Sequence, residues 1–83
     1  MQVRLKLFGA LRDYLPTGSS FNSCSLSIEP EETLEQLLGQ LPIPADKPYL
    51  IIVNDVKIDS ALFASTVLRE NDEVILLPPV KGG

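Results

Sequence analysis

The chain has 83 residues, too few for two ordinary domains, and surface scaling leaves roughly 5,000 Å² exposed out of about 13,000 Å², enough burial for one small core. Hydrophobic residues at 45% and charged residues at 22% exclude an intrinsically disordered or collagen-like chain. Seven basic against eleven acidic residues give a net charge of −4, the wrong sign for a nucleic-acid surface, and one cysteine with no histidine excludes an internal disulfide or a Cys/His zinc set, so a cytoplasmic setting is expected.

Val3, Leu5 and Leu7 alternate with Gln2, Arg4 and Lys6, the period of a half-buried strand, and predict a first strand over residues 2 to 8. Gly9 ends it. Leu11 and Leu15 stand at i, i+4 in a short helix over Ala10 to Leu15, and Pro16 to Ser20 form a loop. Cys24, Leu26 and Ile28 alternate with Ser23, Ser25 and Ser27. This second one-sided strand pairs with the first as a wide antiparallel hairpin.

Thr33 and Gln36 have capping-box spacing, and Leu34, Leu37, Leu38 and Leu41 follow on one helical face, which predicts the main helix. Glu31, Glu32 and Glu35 lie near its positive end, where capping and solvation account for them. Pro42, Pro44 and Pro48 stop the helix, and Tyr49 to Val53 reads as a buried central strand. Asn54-Asp55 turns into a short Val56-Lys57-Ile58 segment, followed by an irregular stretch from Asp59 to Arg69. After a turn at Asn71-Asp72, Glu73 to Leu77 is the last strand, ended by Pro78-Pro79. The longest apolar run, Val74 to Val80, holds two prolines and is far too short for a membrane span. The element order gives an α+β domain in which one main helix covers a mixed sheet of four to five strands.

Independent catalysis is not expected from these residues. With no histidine, no acid pair beyond the helix cap and no glycine pattern of a phosphate loop, the usual acid–base and nucleotide-binding arrangements are missing. Cys24 shares the phase of Leu26 and Ile28, which points its side chain to the core as a small hydrophobe with a raised pKa.

The end of the sequence is more informative. Two adjacent terminal glycines arise by chance in roughly 0.5% of chains, and here they follow a strand end and two stiffening prolines. Six residues from Pro78 span on the order of 20 Å, and Gly82 and Gly83 lack the side chains that a narrow channel would exclude. A terminal carboxylate, with a pKa of about 3.5, is ionised at neutral pH and is a nucleophile toward an activated phosphate held by another protein. Phe8 and Leu77 fall in the phase of polar neighbours near the strand ends, two large apolar groups expected at a partner contact.

Leu7-Phe8-Gly9-Ala10-Leu11-Arg12-Asp13-Tyr14-Leu15, Val53-Asn54 and, above all, the block from Asn71 through Pro78-Pro79-Val80-Lys81-Gly82-Gly83 resemble the small subunit of molybdopterin synthase, one of the MoaD/ThiS-like ubiquitin-like sulfur carriers. The resemblance implies a β-grasp domain over residues 1–77 and an extended tail over 78–83. It implies that an E1-like adenylating enzyme uses ATP and a sulfur donor to convert Gly83, through an acyl-adenylate, to a thiocarboxylate. Pro78, Pro79, Val80, Lys81 and Gly82 would thread into the synthase large subunit, with Phe8 and Leu77 contacting the partners, and the chain itself would bind no cofactor and catalyse nothing. Asn71 stands where a turn glycine is common, and Lys57 where an apolar contact is usual. The net negative charge is expected to suit basic pockets on partners that hold phosphates. A thiazole- or cysteine-pathway carrier, a protein modifier conjugated through Gly83 and a plain interaction module remain the alternatives.

Overall fold

The computed structural model describes residues 1–16, 19–44 and 46–79. Five strands, β1 (Gln2–Leu7), β2 (Ser23–Ser27), β3 (Leu50–Val53), β4 (Val56–Ile58) and β5 (Glu73–Leu77), form one sheet in the order β2-β1-β5-β3-β4. Neighbours run antiparallel except β1 and β5, which lie side by side in parallel at the centre. A parallel pair needs a long crossover, and everything between β1 and β5 supplies it. Helix α1 (Leu34–Gly39) and two 3-10 helices, Gly9–Tyr14 and Ser60–Ser65, are the other regular elements among the described residues. This is the β-grasp, ubiquitin-like architecture that the sequence leads one to expect.

Alternation dictates which face is buried. Val3, Leu5 and Leu7 of β1, Val74 and Leu76 of β5, and Ile51 and Val53 of β3 point inward to one cluster with Leu34 and Leu37 of α1, joined by Leu11, Ile28, Leu41 and Leu68. Leu76 is fully buried, so Leu76→Ala is expected to cost about 2–5 kcal/mol in urea unfolding. A loss below about 0.5 kcal/mol, the range of surface changes, would show that Leu76 contributes little to this core.

The turns obey backbone sterics. Asn54 (φ 48°) and Asp55 (φ 71°) both adopt positive φ, the requirement of the two-residue hairpin turn between β3 and β4. Asn71, in place of a turn glycine, has φ 68°, a conformation asparagine tolerates better than most residues. The capping box is present: Gln36 N–H donates to Thr33 Oγ1 (3.2 Å) and Thr33 N–H to Gln36 Oε1 (2.9 Å).

Several local expectations are corrected. The first helix is a 3-10 turn that stops at Tyr14, with Leu15 extended (φ −68°, ψ 144°), because the proline that follows disfavours a helical residue before it. Leu41 is buried but lies beyond the end of α1, again just before a proline. The stretch Asp59 to Arg69 holds the second 3-10 helix and the buried Leu68, and it bridges to Thr33 through Val67. Glu32 is buried rather than solvated: one carboxylate oxygen accepts from Glu29 N–H (3.0 Å), the other from Gln40 Nε2 (3.0 Å). It ties the approach to α1 to the helix's far end.

Candidate functional site

Because β1 and β5 are parallel, both strands end on the same side of the sheet. Leu7 pairs with Leu76, and the Phe8 N–H donates to the Leu76 carbonyl (3.1 Å). Phe8 and Leu77, far apart in sequence, therefore stand next to each other where the last strand finishes. Both are half-buried, and the exposed Pro78 and Pro79 follow directly. Val80, Lys81, Gly82 and Gly83, the remaining tail residues singled out by the sequence, lie outside the described residues.

The sheet face opposite the core carries more apolar surface than Phe8 and Leu77 alone. Register places Leu50 across from Leu77 and Ile52 across from Ile75. All four are half-buried, and all point away from the α1 side, since Ile51, Val53, Val74 and Leu76 take the inward positions. Cross-strand neighbours lie about 5 Å apart, so these four side chains form one continuous patch leading to Phe8 and the start of the tail. Sequence reading missed Leu50, Ile52 and Ile75. Their segments are apolar in both phases, so alternation could not tell a strand buried on two faces from one with an exposed apolar face. The reading of Tyr49 to Val53 as a buried central strand is corrected accordingly: β3 buries one face and lies next to the edge strand β4.

Charge around the patch differs from what net charge implies. The outward positions flanking it on β1 and β4 hold Arg4, Lys6 and Lys57. Lys6 pairs with Glu73 (3.3 Å) and Lys57 with Asp59 (3.8 Å), both partly or largely exposed, so the pairs steer more than they stabilise. The chain is acidic overall, yet this face carries Arg4, Lys6 and Lys57 beside Glu73 and Asp59. The excess acid lies elsewhere, notably around the approach to α1.

Among the described residues, no group of three or more His, Cys, Asp or Glu side chains is placed to hold a metal. Cys24 packs against the core from the edge strand β2 and is half-buried rather than enclosed. Burial pushes its thiol above the ordinary value, and a hydrogen bond with Ser19 works the other way. A thiol held protonated at neutral pH is a poor nucleophile. Among the described residues no helix is long and apolar enough to cross a membrane.

The described residues thus bring one apolar outer face and the Pro78-Pro79 segment to the same margin of the sheet. The model of the ThiS family matches residues 5–83. The chain belongs to the ThiS family. Proteins of this family are ubiquitin-like sulfur carriers, which generally work with E1-like activating enzymes and are generally not catalysts themselves. Among solved structures, the crystal structure of SAMP1 from Haloferax volcanii is similar at a TM-score of 0.68 and 22% identity, with 100% of each chain covered. At that identity the likeness speaks for the fold. No curated protein matches the sequence.

Proposed function

We propose that this ThiS-family protein is the sulfur-carrying small subunit of a molybdopterin synthase, acting in the cytoplasm. Its body is residues 1–77 and its delivery arm is residues 78–83. The observation that carries the proposal is the apolar outer face, Leu50, Ile52, Ile75, Leu77 and Phe8, set at the root of a segment that ends in Gly-Gly. Docking through that face brings the arm to a partner's active site, so that a bimolecular encounter becomes an intramolecular one.

The chemistry resides at Gly83. Its carboxylate oxygen attacks the α-phosphorus of ATP held by the adenylating partner, and pyrophosphate leaves. A sulfide-equivalent nucleophile from the sulfur donor then attacks the acyl carbon, AMP departs, and a thiocarboxylate remains. In the large subunit that sulfur passes to precursor Z, and the carboxylate is regenerated by water. Pro78, Pro79, Val80, Lys81 and Gly82 thread the channel, and no residue of this chain needs to move a proton. The Pro-Pro-Val that precedes the final residues favours the pterin route over thiazole or cysteine synthesis.

Thiocarboxylated protein mixed with a molybdopterin synthase large subunit and precursor Z tests the assignment. Molybdopterin should form in proportion to the thiocarboxylate supplied. If no pterin product appears while the same protein sustains thiazole or cysteine formation, or builds higher-mass conjugates through Gly83, the molybdopterin assignment is wrong.

A further inference from the structure

Where β5 ends, the chain meets Gly9. This glycine has φ +60°, a left-handed conformation that turns the backbone out of β1 and into the first 3-10 helix. Its two sides are held. The Phe8 N–H is bonded to the Leu76 carbonyl on β5, and the Leu11 N–H to the Phe8 carbonyl (3.2 Å), with Leu11 itself buried. The bare Cα of Gly9 faces the Pro78 ring so closely that a Cβ built there would lie 2.7 Å from Pro78 Cγ, 3.6 Å from Cδ and 3.9 Å from Cβ. The first of these is shorter than real carbon contacts allow.

A proline ring cannot swing aside as a flexible side chain does, because it is fused to its own backbone with φ held near −65°. Any atom that displaces the Pro78 ring displaces the main chain of residues 78 and 79. We propose that Gly9 is a positioning residue for tail delivery: its missing side chain forms the notch in which the Pro78 ring sits, and that seat sets the direction in which the chain leaves the body. Gly9 touches no substrate and acts only through Pro78. The inference rests on the sulfur-carrier reading for its functional consequence, but the seat itself is a property of the folded chain.

A double-mutant cycle on the full chain tests it: wild type, Gly9→Ala, Pro78→Ala and the double variant. Two readouts are taken, steady-state ATP–pyrophosphate exchange with the adenylating partner and amide chemical shifts of residues 80–83. Gly9→Ala should lower kcat for exchange about 10- to 100-fold, the scale of an ångström's misplacement at a reacting centre. KM should hardly change, since the docking face is intact. In the Pro78→Ala background the same substitution should cost no more than about twofold, the ordinary residual of independent sites, because only the 3.9 Å contact with the Cβ of residue 78 is left. The positive φ persists in both backgrounds, so backbone strain and any loss of stability are common to them and cannot produce this rescue.

Should Gly9→Ala fail to fold, Gly9→Asn carries the same Cβ into the ring with a backbone better able to hold φ +60°, and the same pattern is expected. Equal kcat losses in both backgrounds, or no loss in either, would overturn the proposal. If even the wild-type chain supports no exchange, the functional reading is what fails. The seat is then decided by the shifts, which should move on Gly9→Ala with Pro78 present and stay put without its ring; equal movement in both backgrounds would refute it.

Discussion

Gly82→Val is expected to slow sulfur loading at Gly83 by about 100-fold, as a blocked approach to a reacting centre does, and to leave the unfolding midpoint within the range of ordinary surface changes. Residue 82 follows β5 in the sequence, and among the described residues the cluster formed by Leu5, Leu7, Leu34, Leu76 and their neighbours is built from positions before the end of that strand at Leu77. Two consecutive residues without Cβ at the end of an arm are needed only if something encloses them tightly. Time courses of thiocarboxylate formation with the adenylating enzyme, ATP and a sulfur donor, read beside a thermal scan, check both halves. Loading at the wild-type rate would mean that the channel has room for a side chain and that the paired glycines are incidental.

Ile52→Asp is expected to raise the Kd for the large subunit about 30-fold or more, the loss of an interface anchor worth 2 kcal/mol or above. Ile52 sits at the centre of the outer patch, across from Ile75 and beside Leu50 and Leu77. A carboxylate there would be stripped of water on docking without a designated partner. The fold should survive, because the side chain points away from the buried cluster and strand propensity at such a site varies within about 1 kcal/mol. Phe8→Ala should weaken docking in the same direction, and Ser25→Asp, on the outward face of the edge strand β2, should not. Titration calorimetry with circular dichroism separates the outcomes. Unchanged affinity for both Ile52→Asp and Phe8→Ala would assign the patch to something other than this partner.

Much of the fold was legible because each element carried its own chemistry. Val3-Arg4-Leu5-Lys6-Leu7 could only be a one-faced strand, Thr33 and Gln36 could only begin a helix, and asparagine at 54 and 71 stood where positive φ was required. What failed did so for physical reasons. Pro16 ends the first helix before Leu15, because a residue preceding proline is driven to extended backbone, and α1 closes at Gly39, short of Leu41. Glu32 looked like one more solvated acid, since nothing in the sequence shows that Gln40 and the Glu29 amide come round to meet it. At the candidate site, Phe8 and Leu77 were marked by phase against polar neighbours. Leu50, Ile52 and Ile75 were hidden, because an apolar residue among apolar residues gives no alternation, and only the antiparallel pairing of β3 with β5 brings them to one surface. The contact between Gly9 and Pro78 is of the same kind: both residues are plain in the sequence, and their meeting exists only in the fold.

The central claim is that sulfur is carried on the terminal carboxyl group and nowhere else in the chain. Intact and fragment mass spectrometry after incubation with the adenylating enzyme, ATP and a sulfur donor tests it most directly. A single exchange of oxygen for sulfur should appear, confined to the fragment that ends at Gly83, present in Cys24→Ala and missing when Gly83 is deleted. Sulfur found on Cys24, or gained just as well by the chain lacking Gly83, would contradict the account.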